Sequence, residues 1–179
     1  MKNCFIKGNK ISLRPLTLDD IDGGYQSWLN DSEVCSANNY HRFPYTREML
    51  ESFILGLSND RSTMLLAIEC NEKSIHIGNI GLSSIDLVNR TGEYGVLIGN
   101  KDYWNKGVAL EASMLIIKHA FNELNLNRIW CGTLESNIGM RKLAEKIGMK
   151  PEGVRKEAIF KSGRYQDVHN FGLLKTDFK

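Results

Sequence analysis

The chain has 179 residues, enough for one domain with a sizeable core, and its 42% hydrophobic and 25% charged content is ordinary for a globular protein. Net charge is +2 with both signs interspersed, which gives no basic stripe for nucleic acid, and no apolar run reaches the roughly 18 residues of a membrane helix. The opening residues Met1-Lys2-Asn3-Cys4-Phe5-Ile6-Lys7 lack the apolar core of a signal peptide, and Cys4, Cys35, Cys70 and Cys131 are spaced for neither zinc nor disulfides, so a cytoplasmic protein without a metal is expected.

Ile11-Ser12-Leu13-Arg14-Pro15-Leu16 alternates apolar and polar residues and predicts an opening strand stopped by Pro15. Thr17 reads as a helix N-cap, and Ile21, Tyr25, Trp28 and Leu29 share one face of a helix that Gly23 and Gly24 weaken and bend. Residues 30–45 turn polar and aromatic without periodicity; a loop that long between two helices is either functional or a mobile surface segment. Thr46 caps a second helix carrying Met49, Leu50, Phe53, Ile54 and Leu57.

The apolar run 62–70 predicts a central strand, Asn71-Glu72-Lys73 a hairpin turn, and 74–87 a long strand in which Gly78 and Gly81 mark a bulge or bend. Asn89-Arg90-Thr91-Gly92 turns into a strand over 93–99, so three strands joined by short turns form an antiparallel meander. Next comes a loop, Trp104-Asn105-Lys106-Gly107-Val108-Ala109, feeding a helix with Val108, Ala112, Leu115, Ile116 and Ala120 on one face. A helix start leaves backbone amides without intrahelical partners and carries partial positive charge. Gly107 lets the backbone approach a bulky anion and Lys106 adds a cation, so this loop is read as holding the pyrophosphate of a nucleotide-like cofactor.

A further strand over 128–135 is expected to run parallel to 93–99, as direct or near neighbour, because strand–helix–strand units cross over right-handed. Asn137 caps a short helix with Met140, Leu143, Ala144 and Ile147 inward, and Gly148 stands where a left-handed C-cap is wanted, with Met149 after it. Strands over 152–161 and 165–174, joined at Ser162-Gly163, close a single α+β domain with a mixed sheet.

Several of these pieces together resemble one family. Leu13-Arg14-Pro15-Leu16, Gly92-Glu93-Tyr94, Trp104 to Ala109, Asn137 with Glu145-Lys146-Ile147-Gly148-Met149, and Gly163-Arg164-Tyr165-Gln166-Asp167-Val168 are similar in order and spacing to the GCN5-related N-acetyltransferase (GNAT) superfamily, in its branch of ribosomal-protein and polyamine acetyltransferases. The resemblance implies a mixed, mostly antiparallel sheet of six to seven strands with about four helices, the family's strands 4 and 5 (93–99 and 128–135) splaying apart. It implies acetyl-CoA in that gap, with no metal. Val96, Leu97 and Ile98 would meet the pantetheine through exposed edge groups. Trp104, Asn105, Lys106, Gly107, Val108 and Ala109 would hold the pyrophosphate, Asn137 the pantetheine, and Lys146 or Lys142 the ribose phosphate. Trp104 and Asn105 replace the family's usual Gln or Arg and second Gly; Asn tolerates left-handed backbone, so the amide nest is kept.

Acetylating an amine requires removal of its proton. Glu93 is assigned as the base, against the plainer reading of a solvent-facing strand residue, and the Ile98 amide as the oxyanion donor. The family's acid positions hold Ala144 and Met140 here. Tyr94, Tyr103, Tyr165 or solvent must supply that proton. The acceptor is expected to be a small primary amine (an amino sugar or polyamine) or a protein N-terminus, met by Asp31, Glu33, Tyr94 and Tyr165, in a possible homodimer with no nucleic acid and no membrane. The missing acid leaves open an alternative, a catalytically silent acyl-CoA-binding module.

Overall fold

A computed structural model describes residues 4–179; residues 1–3, part of the stretch read above as lacking a signal peptide, lie outside the described residues. The alternation at the start folds as β2 (Ile11–Pro15), with the two-residue β1 (Ile6–Lys7) added on its outer edge. The meander follows as β3 (Met64–Cys70), β4 (Ile75–Asp86) and β5 (Thr91–Ile98), and the remaining strands are β6 (Arg128–Leu134), β7 (Lys150–Lys161) and β8 (Arg164–Leu174). All join one eight-stranded sheet in the order β1-β2-β3-β4-β5-β6-β8-β7, in which only the β5–β6 pair is parallel. β1 accounts for the strand beyond the expected seven.

Four helices cover the two faces. α3 (Val108–Asn122) and α4 (Ile138–Ile147) bury Ile116, Phe121, Ala144 and Ile147 against Leu13, Ile68, Ile80 and Ile129. α1 (Gln26–Leu29) and α2 (Arg47–Leu57) bury Trp28, Leu29, Leu50 and Ile54 on the opposite face, over Ala67. Of the apolar residues that α2 carries, Leu50 and Ile54 are buried while Met49 and Phe53 are exposed. α1 is preceded by a π-helical turn, Ile21–Tyr25, broken at Gly24 (φ 122°), the bend that the glycine pair predicts. Thr46 and Gly148 cap α2 and α4 as expected, the latter at φ 93°.

The bulge in β4 falls at Ile77, beside Gly78, where the register steps from Ile68↔Gly78 to Glu69↔His76. Gly81 is in regular register; its role is close approach, since a Cβ there would lie 2.7 Å from the Met64 carbonyl. Among the described residues no helix is long and apolar enough to cross a membrane.

One buried polar cluster ties the first strand to the π-turn. Arg14 donates from Nη1 and Nη2 to Asp20 (2.8 and 2.7 Å) and from Nε to Glu69 Oε2 (2.6 Å). The Thr17 amide and hydroxyl both donate to Asp20 Oδ2, at 2.8 and 3.2 Å, so the carboxylate is the acceptor here and Thr17 does not make the side-chain cap expected of it. His76 Nδ1 lies 3.3 Å from Asp20 Oδ1, while Nε2 faces the Gly78 carbonyl and Asn79 Oδ1, both at 2.8 Å. Two oxygens at Nε2 require that nitrogen to carry the proton.

Candidate functional site: a split sheet

The site begins where strand pairing stops. β5 and β6 pair only at Thr91↔Arg128, Gly92↔Ile129 and Glu93↔Trp130. Past Glu93, β5 stays with β4 as far as Ile98 and β6 stays with β8 as far as Leu134, so the two diverge into a V. A cavity of about 1160 Å³ fills the opening, floored by β5 and β6 and walled by the 31–45 loop, α3 and α4.

Backbone alternation decides which groups face it. The Gly99 amide donates to Ile77 of β4 at 3.0 Å, so Leu97, two residues before, also points its N–H and C=O toward β4. Val96 and Ile98 therefore point theirs into the V. This corrects the expectation for Leu97, whose backbone is spent within the sheet. The Ile98 carbonyl is taken by Trp104 Nε1 at 2.8 Å, which leaves the Ile98 N–H and both Val96 groups for a ligand. Trp104 thus pins the end of β5 to the start of the loop, a use of its side chain that sequence reasoning missed.

At the mouth, Asn105 (φ 60°) and Gly107 (φ 80°) are both left-handed. The amides of Asn105 to Leu110 donate to nothing among the described residues, and a Cβ on Gly107 would meet no atom within 4 Å. Open space beside a run of free amides fits a diphosphate. Lys142 and Lys146 line the same cavity from α4, exposed and suited to further phosphate oxygens. Lys106 does not line it; its Nζ sits 5.5 Å above the Tyr103 ring.

The α1–α2 face of the V carries the candidate acid–base groups. Glu93, Gly95 and Leu97 share it by period two, and a Cβ on Gly95 would meet nothing within 4 Å, so space opens next to the Glu93 carboxyl. Burial pushes the Glu93 carboxyl above its ordinary range, and Arg155, also lining the cavity, only partly offsets this. Tyr25 lines the same face, is 6% exposed, and its hydroxyl has no partner among the described residues. Burial raises its phenol first of all, with Tyr40 and Tyr45 adding to the effect, so it keeps its proton at neutral pH. Sequence reading placed Tyr25 only on one helix face with Ile21, Trp28 and Leu29, because helical spacing is the same for a core residue and a cavity wall.

Other expected residues are placed differently. Tyr94 is buried with its hydroxyl bonded to Ser113 Oγ on α3, on the opposite face from Glu93, so it offers the acceptor no phenol. Tyr103 lines the cavity, whereas Tyr165 stacks on Phe160 at 5.1 Å, 64% exposed and outside the cavity lining. Glu33 lines the cavity and Asp31 does not; Lys101 Nζ holds both carboxylates, at 2.5 and 2.8 Å, and offsets one of their two charges. Asn137 lines the cavity, but its Oδ1 caps the Met140 amide and its Nδ2 donates to the Ala37 carbonyl at 3.2 Å, tying the 31–45 loop to α4.

A groove with free strand edges along its length and an amide cradle at one end suits a long acyl carrier that ends in a nucleotide diphosphate, the form of an acyl-CoA. A family model described as "Acetyltransferase (GNAT) domain" matches residues 10–150. The N-acetyltransferase p20 of Bacillus licheniformis is 32% identical over 172 residues, spanning 94% of this chain and 95% of that protein. The spermidine N(1)-acetyltransferase of Vibrio cholerae is 27% identical over 139 residues, spanning 78% and 77%. A crystal structure of the Vibrio cholerae spermidine N-acetyltransferase with CoA and spermine has the same fold, at 24% identity and a TM-score of 0.86, covering 95% of this chain and 98% of that one. The chain belongs to the GNAT acetyltransferase family. It is an acetyl-CoA-dependent N-acetyltransferase.

Proposed function

We propose that the chain acetylates a primary amine that enters the V from the α1–α2 face, with Glu93 as base. The observation that carries this reading is the end of β5–β6 pairing at Glu93, which sets a desolvated carboxyl at the base of the opening. Acetyl-CoA supplies the thioester acyl group. Val96 and the Ile98 N–H hold the carrier by edge hydrogen bonds, and the amides of residues 105–110 hold its diphosphate. Glu93 takes the amine's proton, directly or through one water. Tyr25 is the phenol offered on this face where Ala144 and Met140 offer none, with solvent as the other proton source.

The acceptor is a small-molecule amine or a protein N-terminus; a polyamine is supported by the spermidine acetyltransferase relative, though the Lys101 pairing of Asp31 and Glu33 argues against strong attraction of a polycation. A cytoplasmic location is supported by four free cysteines.

Release of free thiol from acetyl-CoA, followed with glucosamine, spermidine and a peptide bearing a free N-terminus, tests the reading. Turnover with at least one amine is expected. Coenzyme A binding without turnover on any amine would leave the silent acyl-CoA-binding module.

A further inference from the structure

A second cavity of about 480 Å³ lies where the 31–45 loop meets the β7–β8 hairpin. Ser32, Ser36, His41 and Arg42 line it from the loop, and Phe160, Lys161 and Ser162 from the hairpin. No carboxylate is among them. Arg42 Nη2 donates to Asn39 Oδ1 at 3.2 Å and to the Phe160 carbonyl at 3.1 Å, and Lys161 Nζ donates to the Tyr40 carbonyl at 2.9 Å.

Both cationic heads are therefore held in place by neutral oxygens, with no carboxylate partner among the described residues. Lys101, Arg128, Lys150 and Lys156, by contrast, each meet an acidic side chain. Two fixed and uncompensated positive charges in one concavity, with three serine hydroxyls around them, favour an oxyanion. Ser36 lines this cavity and the V alike, so the two are neighbours, with that residue between them.

We propose that this second cavity binds an anionic group, phosphate or carboxylate, of the acceptor whose amine reaches Glu93. The inference rests on the N-acetyltransferase reading and narrows it to amines that carry an acidic tail. Lys101 offsets only one of the two charges of Asp31 and Glu33, so the loop keeps a net negative charge there, while the two cations, Arg42 and Lys161, stand at the second cavity.

Calorimetry on the protein saturated with coenzyme A, so that the diphosphate cradle is filled, tests this with inorganic phosphate in one arm and acetate in the other. Saturable binding of at least one is expected, and the arm that binds names the group. The double variant Arg42→Gln/Lys161→Gln is expected to weaken that binding about 100-fold, roughly tenfold per charged donor, while its affinity for coenzyme A stays at the parent value and the loss of two exposed loop–hairpin bonds lowers its melting temperature by no more than a few degrees. The bound anion is also expected to inhibit turnover competitively against the acceptor. Absence of binding in both arms, or equal binding by the double variant, would overturn the inference even with acetyltransferase activity intact. Loss of turnover with every amine would instead strike the enzyme reading on which it rests.

Discussion

Replacing Glu93 by glutamine is expected to lower kcat about 100- to 10,000-fold, the range over which a positioned general base acts, without lowering stability. Burial holds the Glu93 carboxyl above its ordinary range despite Arg155. A carboxyl whose folded-state pKa is raised stabilises the fold only while protonated; that contribution is lost as pH rises through the folded value. At neutral pH the ionised side chain therefore costs stability, and the neutral amide, nearly the same in shape, removes that cost. The parent's kcat/KM should fall on the acid side of neutrality as Glu93 takes up its proton, above the pH at which an ordinary glutamate would. That limb should vanish in the variant. A variant that keeps both the limb and most of the rate would assign proton removal elsewhere.

The second large effect is structural. Asp20→Ala is expected to destabilise the protein by about 3–5 kcal/mol, the usual result of removing one partner from a buried ion pair. Asp20 is 4% exposed and accepts from both terminal nitrogens of Arg14 and from the Thr17 amide, so its loss leaves the Arg14 guanidinium with Glu69 as its remaining carboxylate and the Thr17 amide without its acceptor. Burial alone would raise the Asp20 carboxyl, but the Arg14 and Thr17 hydrogen bonds and nearby His76 outweigh it and hold it below its ordinary range. A depressed carboxyl contributes stability above its unfolded pKa, and the contribution is lost as pH falls through the folded value. The parent should therefore lose stability on acidification, and Asp20→Ala should lose less over the same interval. Thermal melts against pH check both points; for a chain of this size the neutral-pH drop should be on the order of 10 °C.

How far this was legible from sequence follows from the range of the interactions. The left-handed backbone at Asn105 and Gly107, the caps at Thr46 and Gly148 and the bend at Gly24 were read correctly, because each rests on the backbone freedom or capping chemistry of one or two residues. The separation of the two parallel strands came only from family resemblance, since three pairs between segments some distance apart leave no periodic trace.

Asp31 and Glu33 looked free because their partner, Lys101, is 68 residues from Glu33. The Arg14–Asp20–Glu69 cluster was equally hidden, a long-range pairing among residues that look like ordinary surface charges. Tyr94 is a different case. Both it and Glu93 line the V, but strand alternation turns its hydroxyl to the opposite face, where it bonds Ser113. The Leu97 backbone was misjudged for the same reason.

The central claim is that acetyl-CoA lies along the open edge of β5, with its diphosphate on the amides that precede and begin α3. Backbone amide ¹H–¹⁵N spectra recorded while coenzyme A is added test it most directly. Large shifts at Val96, Ile98 and residues 105–110, with Leu97 affected less because its amide already bonds β4, are the predicted result. Saturable binding that leaves those amides unmoved and shifts another surface would contradict it.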